Sequence, residues 1–168
     1  MGIEEIENKM KETDFEPQGR YAADSAAEFV RILTRANMNG ADRLFGGDLL
    51  TWMDDVAAVS ARRFARSAVT TACIERLRFL RPARQNETMV VSARVIWTGR
   101  TSMVVLVRAE TEDLDGTRNE IADGYFTLVA LDDEERPRPV PTLIPVSEQE
   151  KQLFDEISAQ RAKKPAGK

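Results

Sequence analysis

The chain of 168 residues contains no histidine. A Ser-His-Asp triad, a Cys-His pair, a His-Asp dyad of the dehydratase kind and a histidine-ligated zinc are therefore excluded within it. Cysteine is nearly as scarce. The single Cys73 cannot close an internal disulfide, and no second Cys or His is present to complete a metal site. It falls in an apolar alternating run and is expected in the core. Long apolar runs are also missing, so no segment reaches the roughly 20 residues needed to cross a bilayer. The acidic start, Met1-Gly2-Ile3-Glu4-Glu5, lacks the basic and apolar regions of a signal peptide, and Ile6 stands where a myristoylation motif carries Ser or Thr. A cytoplasmic location is expected. Charge of one sign is not in excess either, because 24 basic and 28 acidic residues are interspersed and leave a net charge of −4. That balance gives no global field for nucleic acid, and any anion site must be local.

Hydrophobic residues at 42% and charged residues at 31% indicate one soluble globular domain. Residues 1–25 are polar and read as a loose helix or tail, 26–145 as the main domain, and 146–168 as a C-terminal helix with a basic tail. A first strand is expected over 27–35, followed by the turn signal Asn37-Met38-Asn39-Gly40. A long helix follows Gly46-Gly47, with Leu50, Met53, Ala57, Ala61 and Phe64 on one broad face. The remainder alternates with period two over 69–80, 88–97, 101–110 and 121–131, giving four more strands. Asn86-Glu87, Thr98-Gly99 and Asp115-Gly116 lie between them and predict consecutive antiparallel hairpins. The order is that of an α+β domain in which a long central helix packs on a five-stranded antiparallel sheet, with a further helix over 147–161. One central helix covers one sheet face, so a second copy of the chain is expected to cover what remains, as a homodimer.

Asp54 is the carboxylate that stands out, since it lies at the edge of the apolar helical stripe. A poorly solvated carboxylate there is suited to general-base work; a boundary aspartate paired with an arginine or capped by an N–H fits the same position. Gly46-Gly47 opens the helix, where free N–H groups and the positive end of the dipole can stabilise an oxyanion, or can mark no more than a helix start. Gly47 and Asp54 stand about 10 Å apart along the axis. They cannot meet at one small reacting centre within one subunit, whereas two antiparallel helices from two subunits can bring them together. Arg76, Arg78, Arg81, Arg84 and Arg100 are crowded into one stretch and provide either a local phosphate site or ordinary surface charge.

Arg43-Leu44-Phe45-Gly46-Gly47, Trp52-Met53-Asp54, Arg78-Phe79-Leu80-Arg81-Pro82, Gly99-Arg100-Thr101-Ser102-Met103 and Ala122-Asp123-Gly124-Tyr125-Phe126, closed by Arg138-Pro139-Val140-Pro141, resemble the hotdog-fold acyl-CoA hydrolases. The similarity keeps family order and runs from about Phe29 to Pro141. It implies the hotdog fold and hydrolysis of acyl-CoA thioesters to CoA and a carboxylic acid. Asp54 would take the family's catalytic aspartate role, as base or as nucleophile, and Gly47 would polarise the thioester carbonyl from the facing subunit. Phe45, Gly46 and Arg78 would line the substrate, and the Arg100-Thr101-Ser102 turn resembles the segment that contacts CoA. The resemblance further implies active sites at a homodimer interface and a trimer of dimers. No metal and no cofactor are expected, CoA being part of the substrate. The chain departs from the family at Phe45, where many relatives carry His or another polar residue, which leaves Asn39 as a candidate polarising residue. It departs again at Phe64, where some carry a second histidine. The rival reading is a non-catalytic acyl-CoA sensor; about 25 N-terminal residues are too few for an attached helix-turn-helix domain.

Overall fold

The computed structural model describes residues 18–163. Of the tail expected over residues 1–25, residues 1–17 lie outside the described residues, as does the basic end beyond Lys163. The elements are β1 (Ala27–Ile32), α1 (Gly46–Ala65), β2 (Ala68–Phe79), β3 (Thr88–Thr98), β4 (Ser102–Glu112), β5 (Arg118–Leu131) and α2 (Glu148–Lys163). Single 3-10 turns occupy Ala22–Ser25 and Arg35–Asn37. All five strands form one sheet in the order β1-β3-β4-β5-β2, and every neighbouring pair is antiparallel.

Two of the three expected hairpins are present, β3–β4 and β4–β5. The third is not, because β2 pairs with β5 at one edge while β3 lies beside β1 near the other. Residues 80–87 cross between them, held by Leu80 N–H to Ile121 C=O (2.8 Å), Leu44 N–H to Ala83 C=O (2.8 Å) and Asn86 N–H to Leu33 C=O (2.8 Å). Turn chemistry at Asn86-Glu87 marks the end of this longer connection, which two residues cannot distinguish from a hairpin.

The apolar stripe of α1 faces the sheet as its spacing requires. Met53, Ala57, Ala61 and Phe64 are fully buried against a cluster that includes Val91, Val95, Val105, Phe126 and Leu128. Full burial of a side chain of the Met or Phe kind is worth about 1.5–3 kcal/mol, so this interface dominates the fold. The opposite sheet face is partly covered by the chain's own α2. There Ile157 packs with Ile96, Val104 and Leu106, the Trp97 indole N–H donates to Ser158 Oγ (2.9 Å), and Arg161 donates to Thr127 Oγ1 (2.6 Å). β1 and β2 remain edge strands.

Cys73 is exposed, not buried. Continuous alternation from Thr71, which lies opposite Leu128, would place Cys73 opposite the buried Phe126. A register shift between Thr71 and Cys73 sets Cys73 opposite Thr127 instead, on the face that α2 partly covers. One extra residue in the strand thus reverses the side chain.

Candidate active site

The start of α1 is built without a side-chain cap. Phe45 occupies the N-cap position, where Ser, Thr, Asp or Asn would offer an acceptor, and it makes no side-chain cap hydrogen bond. The backbone ladder begins with Leu49 N–H to Phe45 C=O (3.2 Å), which leaves the N–H groups of Gly46, Gly47 and Asp48 without an acceptor among the described residues. Two aromatic rings flank these donors. A Cβ on Gly47 would fall 2.4 Å from the Phe45 ring, and one on Gly46 would touch the Phe79 ring at 3.6 Å. Glycine at 47 is therefore what lets the Phe45 ring lie against the helix start. Both rings stand open to solvent, Phe45 at 54% and Phe79 at 56% exposure.

The loop before α1 is pinned by Asn37, which the sequence reading passed over in favour of Asn39. Asn37 is buried; its Oδ1 accepts from the Thr34 N–H (3.1 Å) and hydroxyl (2.9 Å), and its Nδ2 donates to Asp48 Oδ2 (3.0 Å). Its carbonyl accepts the Phe45 N–H at 2.8 Å, so one side chain and its backbone fix the angle at which α1 begins. Asn39 is exposed. Its Oδ1 accepts from the Ala41 N–H (2.9 Å) and the Arg43 N–H (3.2 Å), which leaves Nδ2 as the group free to donate. Asn39 lines a cleft of about 350 Å³ beside the helix start, together with Arg43, Gly46, Leu49, Phe79 and Arg81.

Asp54 lies two turns further along α1, half-buried. The Thr71 hydroxyl on β2 donates to its Oδ1 at 2.7 Å, and Oδ2 has no partner among the described residues. Thr71 was not singled out by sequence. Its only signal is parity with Val69 on the strand side facing the helix, which becomes informative once β2 is known to run beside α1.

The remaining expected residues lie elsewhere. Arg78 sits opposite Asp123 and is gripped by that carboxylate through Nε to Oδ1 (2.7 Å) and through Nη2 to Oδ2. The hydrogen bonds and charge of Asp123 hold the guanidinium above its ordinary pKa. The Arg100-Thr101-Ser102 turn is fixed by Gly99 N–H to Ser102 C=O (2.8 Å), Ala130 N–H to Thr101 C=O (2.9 Å) and Val140 N–H to Arg100 C=O (3.0 Å). Ser102 pairs with Val129, whereas Phe79, beside Gly46, pairs with Ala122. The seven-residue interval along β5 corresponds to roughly 23 Å. One chain thus holds the amide donors at the Phe79 end, whereas Thr71, the partner of Asp54, pairs with Leu128 and lies one residue along β5 from the level of the Arg-Thr-Ser turn. No group of carboxylate or thiol side chains among the described residues could hold a metal ion.

An antiparallel five-stranded sheet wrapped on one long helix, with a glycine-built helix start and an aspartate two turns in, defines a hotdog domain of the thioesterase kind. Residues 42–117 match the family model described as thioesterase superfamily. The chain is 34% identical over 147 residues to the acyl-CoA thioester hydrolase YkhA of Bacillus subtilis, covering 87% of this chain and 85% of that protein. It is 26% identical to the cytosolic acyl coenzyme A thioester hydrolase of Mus musculus over 92% of its own length but only 42% of that relative's. Among solved structures, an apo-hexameric acyl-CoA thioesterase superposes with a TM-score of 0.82 at 33% identity, over 86% of this chain and 94% of that one. The acyl-CoA hydrolase of Staphylococcus aureus, in complex with butyryl coenzyme A, coenzyme A and coenzyme A disulfide, gives 0.79 at 29% identity over 85% and 90%. That enzyme has also been solved with single alanine replacements of an aspartate, an asparagine and a threonine. The chain belongs to the acyl-CoA thioester hydrolase family.

Proposed function

We propose that the chain hydrolyses acyl-CoA thioesters to free CoA and a carboxylic acid, with Asp54 activating the attacking water. The observation that carries this reading is the Asp54–Thr71 pair. Thr71 holds one carboxylate oxygen at 2.7 Å and so orients the other, free oxygen to take a proton. The replaced residues of the Staphylococcus aureus hydrolase support it. Its asparagine lies 15 residues before its aspartate and its threonine 17 after, the spacing of Asn39, Asp54 and Thr71 here. The amide donors of Gly46 and Gly47 would bind the developing oxyanion, with the free Nδ2 of Asn39 as a further polarising donor.

These groups are too far apart to act within one subunit, so the reacting centre would combine the helix start of one subunit with Asp54 of its neighbour across a homodimer. The same antiparallel arrangement would bring the Arg100-Thr101-Ser102 turn of one copy toward the helix start of the other, along the path of CoA. A trimer of such dimers is the assembly we infer, in keeping with hexameric neighbours of the same family. Residues 26–145 would form the hydrolase unit, and residues 146–168 would add a C-terminal helix and basic tail. A cytoplasmic site of action fits the mouse relative, which is named cytosolic; no helix among the described residues is long and apolar enough to cross a membrane.

The test is free CoA release from a series of acyl-CoAs of increasing chain length, by the wild type and by Asp54→Ala with its fold verified. A loss of about a hundredfold or more in kcat is expected. A wild type that binds these thioesters and releases no CoA would replace the hydrolase reading with that of an acyl-CoA sensor.

A further inference from the structure

The first turn of α1 carries its own competitor for the open amides. Asp48 is the third helical residue after Phe45, and a carboxylate placed there is drawn to the free N–H groups and the positive end of the dipole. In a capping box the acidic side chain at this position reaches back to the N–H of the N-cap residue. Asp48 does not. The Phe45 N–H is taken by the Asn37 carbonyl (2.8 Å), and Asp48 Oδ2 accepts from Asn37 Nδ2 (3.0 Å) instead. Asn37 thus engages both partners of the local cap, and the N–H groups of Gly46 and Gly47 are left without an acceptor among the described residues.

Anchoring the helix start does not by itself call for an asparagine, because the carbonyl of residue 37 takes the Phe45 N–H whatever side chain stands there. The side-chain amide answers two opposite demands. The Thr34 N–H can only donate, so Oδ1 faces it (3.1 Å), while the Asp48 carboxylate accepts, so Nδ2 faces that. An aspartate at 37 would meet the first demand and oppose the second, and an apolar residue would meet neither. Asn37 is buried, so water competes little for its bond to Asp48. We infer that Asn37 is a positioning residue for the hydrolytic step: by holding the Asp48 carboxylate it keeps that anion off the Gly46 and Gly47 amides, which stay open to the oxyanion. The link to turnover rests on the hydrolase reading. The state of the amides is a property of the chain alone and can be measured without it.

The test exchanges the two side chains. Asn37→Asp is isosteric and keeps the acceptor that faces Thr34, but it sets a second carboxylate against Asp48 and releases it. With the acyl-CoA that the wild type hydrolyses fastest, kcat is expected to fall about tenfold and KM to stay within about twofold, since the freed carboxylate competes with the oxyanion. Adding Asp48→Asn restores the hydrogen bond with donor and acceptor reversed, and kcat should return to within about twofold of the wild type. A kcat untouched by Asn37→Asp, a loss carried by KM, or a double variant as slow as the single one would overturn the assignment. That last result is what a merely structural defect at residue 37 predicts. Should Asn37→Asp fail to fold, Asn37→Ala and Asn37→Ala/Asp48→Ala make the same comparison: a kcat about tenfold higher in the double supports the role, and equal values overturn it. Should the wild type release no CoA, the hydrolase reading fails by itself, and hydrogen exchange at the Gly46 and Gly47 amides decides. Exchange slowed severalfold in Asn37→Asp and restored in Asn37→Asp/Asp48→Asn upholds the positioning role, and equal rates in all three proteins remove it.

Discussion

The two ends of α1 are made from similar residues and treated in opposite ways. At the C-terminal end Phe64 is fully buried, and the Arg20 guanidinium lies 5.8 Å from its ring centroid. The same guanidinium donates through Nη1 to the carbonyls of Arg63 (2.8 Å) and Phe64 (2.6 Å), groups that a helix otherwise leaves without partners. Arg62 and Arg63 in the last turn complement the negative end of the dipole. At the N-terminal end the aromatic residue is Phe45, more than half exposed, and three amide donors meet no acceptor among the described residues. An end that the chain closes for itself serves stability. An end left open, with glycine backbone and solvent-facing rings, is where a substrate oxygen can take the place of a cap.

The sharpest test of that contrast replaces the aromatic residue at each end. Phe64→Ala removes a fully buried ring and should cost about 3–5 kcal/mol, read by urea denaturation. Phe45→Ala removes an exposed ring and should change stability by less than about 0.5 kcal/mol. Equal losses would mean that both ends serve the fold alike. A smaller effect belongs to Arg20→Ala, which strips the Arg63 and Phe64 carbonyls of their donor. It should cost about 1–2 kcal/mol and leave kcat/KM for the preferred acyl-CoA within about twofold. A large loss of turnover in a stable Arg20→Ala protein would show the closed end to be coupled to chemistry.

The sequence made the closed and apolar parts of the molecule easy to read. Period 3.6 in α1 placed Met53, Ala57, Ala61 and Phe64 on the buried stripe, and period two located four strands to within a few residues. Failures came where one residue or one long connection reversed a local rule. The register shift after Thr71 turned Cys73 outward, and the crossover over residues 80–87 carried the chain to the far side of the sheet instead of through a hairpin. The candidate site was legible only in part for a related reason. Asp54 and Gly47 announce themselves by type and position, but Thr71 and Asn37 are ordinary polar residues whose meaning depends on what the fold sets against them. Neither the hydroxyl at 2.7 Å from Asp54 nor the amide that reaches Asp48 has a local signature.

The smallest expected effect probes the open end most directly. Phe45 has the extended backbone of an N-cap, with φ −67° and ψ 123°, but no side-chain acceptor. Phe45→Ser supplies one at a position whose geometry already suits it, and its Oγ would accept from Gly47 or Asp48 N–H. Stability should rise by about 0.5–1 kcal/mol, while kcat falls about tenfold because the new acceptor competes with the oxyanion for the same donors. Phe45→Ala, with no acceptor, should show neither the gain nor as large a fall in kcat. The comparison between Ser and Ala isolates the hydrogen bond from loss of the ring. If the two variants match in both melting temperature and kcat, the amides of Gly47 and Asp48 are already satisfied in the assembled protein, and the oxyanion must be held elsewhere, with Asn39 Nδ2 the next donor to remove.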